Sequence, residues 1–140
     1  MTYETDLYEW TKGQGDALRR RAANEIDWDN LAEEIESLGR SDRHEIRSRL
    51  ENLILHLIKW AYQPEKRCGS WQGSIYEARV RLEDLFEESP SLVALPAEHL
   101  RKAYARARQK ALRETGLIDL PDSCPWTIDQ ILSPDFLPLC

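Results

Sequence analysis

Apolar residues recur along this chain at spacings of three and four, and almost nowhere alternate with polar ones over strand length. That periodicity predicts helices and no convincing strand. Glycine and proline divide the pattern into blocks. The first runs from about Thr5 to Ala23, with Tyr3, Leu7, Trp10, Ala17 and Leu18 approximating one stripe. Gly13 and Gly15 interrupt it, each costing up to about 1 kcal/mol relative to alanine in a helix interior. The second block is predicted from Asp27, a good N-cap, to Gly39, a good residue just past a helix end. Trp28, Leu31, Ile35 and Leu38 share one face there and are expected to pack inward, with Glu33 and Glu36 opposite and Glu34 on the flank.

Ser41 is the expected cap of a third helix, with Asp42 and Glu45 in its first turn. Its stripe is Ile46, Leu50, Leu53, Leu57 and Trp60. From Leu53 to Tyr62 apolar character wraps nearly all round, which marks a helix buried on most sides. Pro64 should end it. A fourth helix is expected from the Ser70 cap to Ser89-Pro90, with Trp71, Ile75, Ala78, Leu82 and Leu85 inward. The fifth runs from about Pro96 to Thr115, with Gly116 as its stop and Leu100, Ala103, Tyr104, Ala107 and Ala111 on its inner face. A final stretch from Leu117 to Cys140 is rich in proline and acids. It carries one short helix near Thr127 to Leu132 and enough apolar surface, in Trp126, Ile128, Ile131, Leu132 and Phe136, to dock.

The expected fold is therefore all-α: a compact bundle of about five helices with a docked C-terminal extension, with short loops making consecutive helices antiparallel neighbours. The domain reading is one unit over 1–140, a helical body at 1–116 and the extension at 117–140. At 140 residues, one domain with a sizeable core is the natural expectation.

Composition narrows the function classes. Hydrophobic content of 41% and charged content of 31% describe a soluble globular chain. The net charge of −6 argues against a basic nucleic-acid binder. No stretch reaches the roughly 18–20 apolar residues of a membrane span, and the opening residues carry no charged-then-apolar leader pattern. The expected compartment is the cytoplasm. Cys68, Cys124 and Cys140 are odd in number, far apart and outside any Cys-x-x-Cys pair, so neither a disulfide framework nor structural zinc is expected.

The opening Tyr3-Glu4-Thr5-Asp6 with Trp10, the stretch Asp27 to Gly39, and His56-Leu57-Ile58-Lys59-Trp60 form one constellation. Tyr62-Gln63-Pro64, Ser70-Trp71, Ser89-Pro90-Ser91-Leu92, Cys124-Pro125-Trp126-Thr127 and Asp135-Phe136-Leu137-Pro138 extend it to nearly the whole chain. In these residues the sequence resembles the bacterial proteins grouped as domain of unknown function 29. It departs from their pattern at Gln72-Gly73, where they carry arginine after the tryptophan, which removes a cation from the fourth helix. The resemblance implies an all-helical domain found largely in cyanobacteria and other bacteria, and implies no activity.

Three constellations could carry function. Glu34 and His56, on helices expected to face each other, could pair, with Arg79 joining them. Such a pair serves either as a satisfied core network or as a metal or acid–base site. A di-metal site of Glu-x-x-His type is not supported: Glu33 and Glu36 point outward, and His44 and His99 are expected near exposed helix starts. No phosphate-binding glycine loop, zincin motif or nucleophile elbow occurs, and no cofactor is expected. Arg101, Lys102, Arg106, Arg108, Lys110 and Arg113 make the fifth helix basic, with Arg19-Arg20-Arg21 as a further patch. These suit either nucleic-acid contact or a solvated, charge-paired face. Tyr8, Trp10, Tyr76 and Trp126 suit either core and tail docking or an interface. The reading that best fits is a non-enzymatic helical module working through protein contacts, as a homodimer or with another protein. A metal-dependent or acid–base enzyme centred on Glu34 and His56 is the alternative, and nucleic-acid contact through the fifth helix a third.

Overall fold

A computed structural model describes residues 2–139. Among them every regular element is helical: α1 (Leu7–Arg20), α2 (Trp28–Tyr62), α3 (Gly69–Glu88), α4 (Leu95–Thr115) and α5 (Ile128–Leu132), joined by short 3-10 turns. The all-α class is as the periodicity predicted. Five helices are described, in line with the expected count of about five, but their bounds differ: the second and third predicted helices are one, and the fifth is the short helix of the extension. α2 runs for 35 residues straight through Gly39 and Ser41. Ser41 caps nothing, and Gly39 does not terminate. A glycine in a helix interior costs about 1 kcal/mol, too little to break a helix continued by good formers on both sides.

The chain divides into two compact units, Met1–Ser41 and Asp42–Cys140. In the first, Asp6 caps α1 by accepting from the Glu9 amide at 3.1 Å. The helix ends at Arg21, whose φ of 58° is left-handed. Gly13 and Gly15 sit inside α1 without ending it. The apolar core of this unit is small: Trp10 and Ala17 are its buried apolar residues. Polar lashings supplement it. Trp10 Nε1 donates to Asp27 at 3.1 Å, Gln14 bridges the Glu25 carbonyl and the Asp27 amide, and Arg20 grips Glu25 with two nitrogens at 2.9 and 3.0 Å. The Asn30 amide, then Trp10, holds the Asp27 carboxyl below the usual aspartate range.

The second unit holds the main core. Ile46, Leu50, Leu53, Ile54, Leu57 and Ile58 of α2 are closed to solvent, as the all-round apolar run predicted. Ile75, Ala78, Leu82 and Leu85 of α3 and Ala103, Tyr104, Ala107 and Ala111 of α4 complete it. Pro64 follows the end of α2, Ser89 caps α3, and Gly116 at φ 75° ends α4, all at the predicted places. Ser70, the expected cap of the fourth predicted helix, is displaced: α3 starts at Gly69 with Cys68 in the cap position. Thr127 and Gln130 form a reciprocal capping box on α5, and Ile131 drives into the core.

The extension is docked on this unit by apolar side chains such as Ile131 and Trp126 and also by its backbone. Tyr104 Oη donates to the Pro121 carbonyl at 2.7 Å, and Arg108 reaches the carbonyls of Pro121 and Leu120 at 3.0 and 3.2 Å. Burial raises the Tyr104 phenol to about 12.

Candidate functional site

The structure gives Glu34, His56 and Arg79 separate partners. Glu34 accepts a hydrogen bond from the Tyr3 hydroxyl, which raises the tyrosine pKa. His56 Nδ1 lies 2.8 Å from the Asn52 carbonyl of its own helix. Because α2 is continuous, Glu34 and His56 stand on one helix rather than on two facing ones. The carboxylate–imidazole pair expected from the sequence rested on the Gly39 break, and that break does not form. Arg79 turns instead to the extension. Its Nε donates to the Ile131 carbonyl at 2.8 Å and its Nη1 to Pro134 at 3.4 Å.

Among the described residues no three His, Cys, Asp or Glu side chains converge as metal ligands. His44 is exposed, as expected, though it lies mid-helix. His99 departs from expectation: it is half-buried, its Nε2 lacks a partner among the described residues, and burial lowers its pKa. Cys68 is an exposed free thiol. Cys124 is partly buried, its Sγ donates to the Trp126 carbonyl, and burial pushes its pKa up. Cys140 lies outside the described residues.

The basic helix α4 is sorted by the structure into two groups. Arg108 is spent on the extension, and Arg106 pairs with Glu51 at 3.3 Å. Lys102, Arg106, Lys110 and Arg113 line one shallow surface groove. The sequence reading missed an ion pair beside His56: Lys59 Nζ lies 2.7 Å from Glu114. Lys59 chiefly, then Lys110 and His56, hold the Glu114 carboxyl below the usual range. A second missed pair joins Arg81 to both Glu45 oxygens at 2.7 and 3.0 Å. Side-chain partners on another helix leave no mark in local spacing.

The largest correction concerns the first stripe. Trp28, Ile35 and Leu38, expected inside, are 61%, 62% and 69% exposed, with Leu31 between them half-buried. Their spacing of three, four and three fits positions a, d, a and d of two heptads. Ala32 and Gly39 flank this seam, so another backbone can approach closely. Elsewhere the aromatics divide. Trp10 is buried and Trp126 packs against the core, while Tyr8 and Tyr76 are exposed. Tyr76 and Val80, one helical turn apart on α3, open a groove of ≈ 510 Å³ with Phe86, Val93, Leu132 and Pro134, floored by Arg79. That i, i+4 pair was visible in the sequence.

No described helix is long and apolar enough to cross a membrane. A family model described as Domain of unknown function DUF29 matches residues 2–137. No curated protein and no solved structure matches the chain.

Proposed function

The chain belongs to the DUF29 family, and from that premise, which carries no activity with it, we propose that it acts as a non-catalytic module that binds protein through α2. The observation that carries the reading is the uncovered seam of Trp28, Leu31, Ile35 and Leu38. Exposed apolar residues are ordinary when scattered. Here they fall in heptad register on one face, which is the pattern a partner helix covers. The occupant we infer is a second copy, because one stripe on one helix is self-complementary about a twofold axis. Two heptads make a short seam, so the association is weak. The same reading assigns the protein to a bacterial cytoplasm, in keeping with the free thiols of Cys68 and Cys124.

Sedimentation equilibrium from about 10 μM to 1 mM tests this, a range that spans weak association. The expected result is a concentration-dependent dimer that the double variant Ile35→Gln, Leu38→Gln abolishes. A wild-type chain that stays monomeric across that range, or a dimer the variant leaves intact, overturns it.

A further inference from the structure

The Arg79 guanidinium is buried, with only 7% of the residue exposed, yet among the described residues it forms no ion pair. Its Nε and Nη1 donate to the neutral carbonyls of Ile131 and Pro134, and its Nη2 is closed to solvent with no partner among the described residues. A buried cation that keeps an unused donor is costly unless an anion meets it. Burial lowers the pKa of Arg79, and the charge of Asp135 opposes that shift only partly. The same side chain floors the ≈ 510 Å³ groove and borders a smaller one of ≈ 170 Å³ that Asp135 also lines. The large groove's walls are Tyr76, Val80, Phe86, Val93 and Leu132, with Glu83 the acidic residue among its lining. A volume between about 300 and 1,000 Å³ suits a small-molecule site.

We propose that this groove binds an aliphatic carboxylate, its chain against Val80, Phe86, Val93 and Leu132 and one carboxylate oxygen on Arg79 Nη2. The charge arrangement selects the head group. Nε has spent its one N–H and Nη1 one of its two on backbone carbonyls, so Nη2, which has no acceptor among the described residues, is the nitrogen an anionic oxygen would satisfy. Glu83 and Asp135 disfavour a dianion such as a phosphate monoester, while the uncompensated guanidinium disfavours a cation. The apolar walls select the chain. Because Nη2 is closed to solvent, the ligand reaches it only with a shift of the side chains around it, and Tyr76, exposed over most of its surface, is one that can give way without opening the core. This site lies within the second unit and is independent of the α2 seam.

Decanoate below its micellar concentration is the probe, followed by calorimetry and by the NMR shift of the Arg79 Nε–H. The expected result is saturable binding with a Kd of about 1 mM or tighter, a shifted Arg79 signal, and no binding of decyltrimethylammonium. Val80→Asp, which leaves Arg79 in place, should weaken decanoate at least about tenfold, the scale of one lost specific contact. Arg79→Gln should do the same if it folds, and Val80→Asp stands alone if it does not. The seam variant Ile35→Gln, Leu38→Gln should bind decanoate like wild type, so the two proposals fail separately. No saturable binding, equal binding of the cationic amphiphile, or a Val80→Asp protein that binds normally overturns the site.

Discussion

The exposed seam on α2 makes a quantitative prediction about stability. Replace Ile35 and Leu38 together with glutamine and measure urea unfolding by circular dichroism, at a protein concentration too low for association. Fully burying such a side chain stabilises by about 1.5–3 kcal/mol. Ile35 and Leu38 keep only about a third of that burial in the structure. The loss expected is therefore about 0.5–1 kcal/mol for each. Glutamine is a slightly better helix former than isoleucine and close to leucine, which returns a few tenths. The double variant should lose about 1–2 kcal/mol at most, with an unchanged m value. Leu53→Ala or Leu57→Ala, at positions closed to solvent, should each cost about 2–5 kcal/mol. A loss near 4 kcal/mol or more in the glutamine variant would place both side chains in a core. That outcome would remove the basis for reading the seam as a docking face.

Gly39→Ala distinguishes a continuous helix from a break. Inside α2, with open space where the new methyl would stand, alanine should stabilise by up to about 1 kcal/mol, whereas a left-handed residue past a helix end would be destabilised; thermal melting gives the sign. Tyr104→Phe removes one donor from the Pro121 carbonyl, which Arg108 still serves, so the cost near neutral pH should be about 1 kcal/mol or less. The raised Tyr104 pKa adds a pH dependence. Its contribution is whole below pH 10 and is lost as pH climbs toward about 12, because only the unfolded phenol ionises readily in between. Wild type should lose about 1–2 kcal/mol more than Tyr104→Phe over that interval, solvent screening being discounted. Parallel alkaline stability curves for the two proteins would refute the assignment.

What could be read from the sequence follows the strength of each local signal. Pro64, Pro90 and Gly116 act through backbone stereochemistry, and each marks a helix boundary where predicted; the short helix near Thr127 to Leu132 also forms, held by a side-chain capping box. Gly39 and Ser41 act only through preferences of about 1 kcal/mol or less, which the hydrogen bonds of a long helix outweigh. The inward face of α3 was legible because Ile75, Ala78, Leu82 and Leu85 recur at spacings of three and four, with Glu77, Arg81, Glu83 and Asp84 among the residues between and beside them. Trp28, Leu31, Ile35 and Leu38 repeat the same pattern, but periodicity shows only that a face is apolar and not what covers it. The pairing of Glu34 with His56 was a consequence of the misplaced break. Arg79 was legible as a polar residue beside an apolar stripe. Its partners were not, because backbone carbonyls leave no trace in side-chain identity.

The hold that Arg79, Tyr104 and Arg108 keep on the extension goes chiefly to main-chain oxygens of Leu120, Pro121, Ile131 and Pro134, with one looser contact from Arg108 to the exposed Asp122 carboxylate. Every amino acid presents that same main-chain oxygen. At these anchors the body therefore recognises the tail as a path through space, and evolution is free to rewrite the tail's spelling at the positions whose side chains do not also pack on the core, as those of Leu120, Trp126 and Ile131 do. What it cannot freely alter is the count of residues between the anchored oxygens. A one-residue deletion between Pro121 and Ile131 would draw the second set of acceptors out of reach and should be tolerated far less well than most substitutions in the same span.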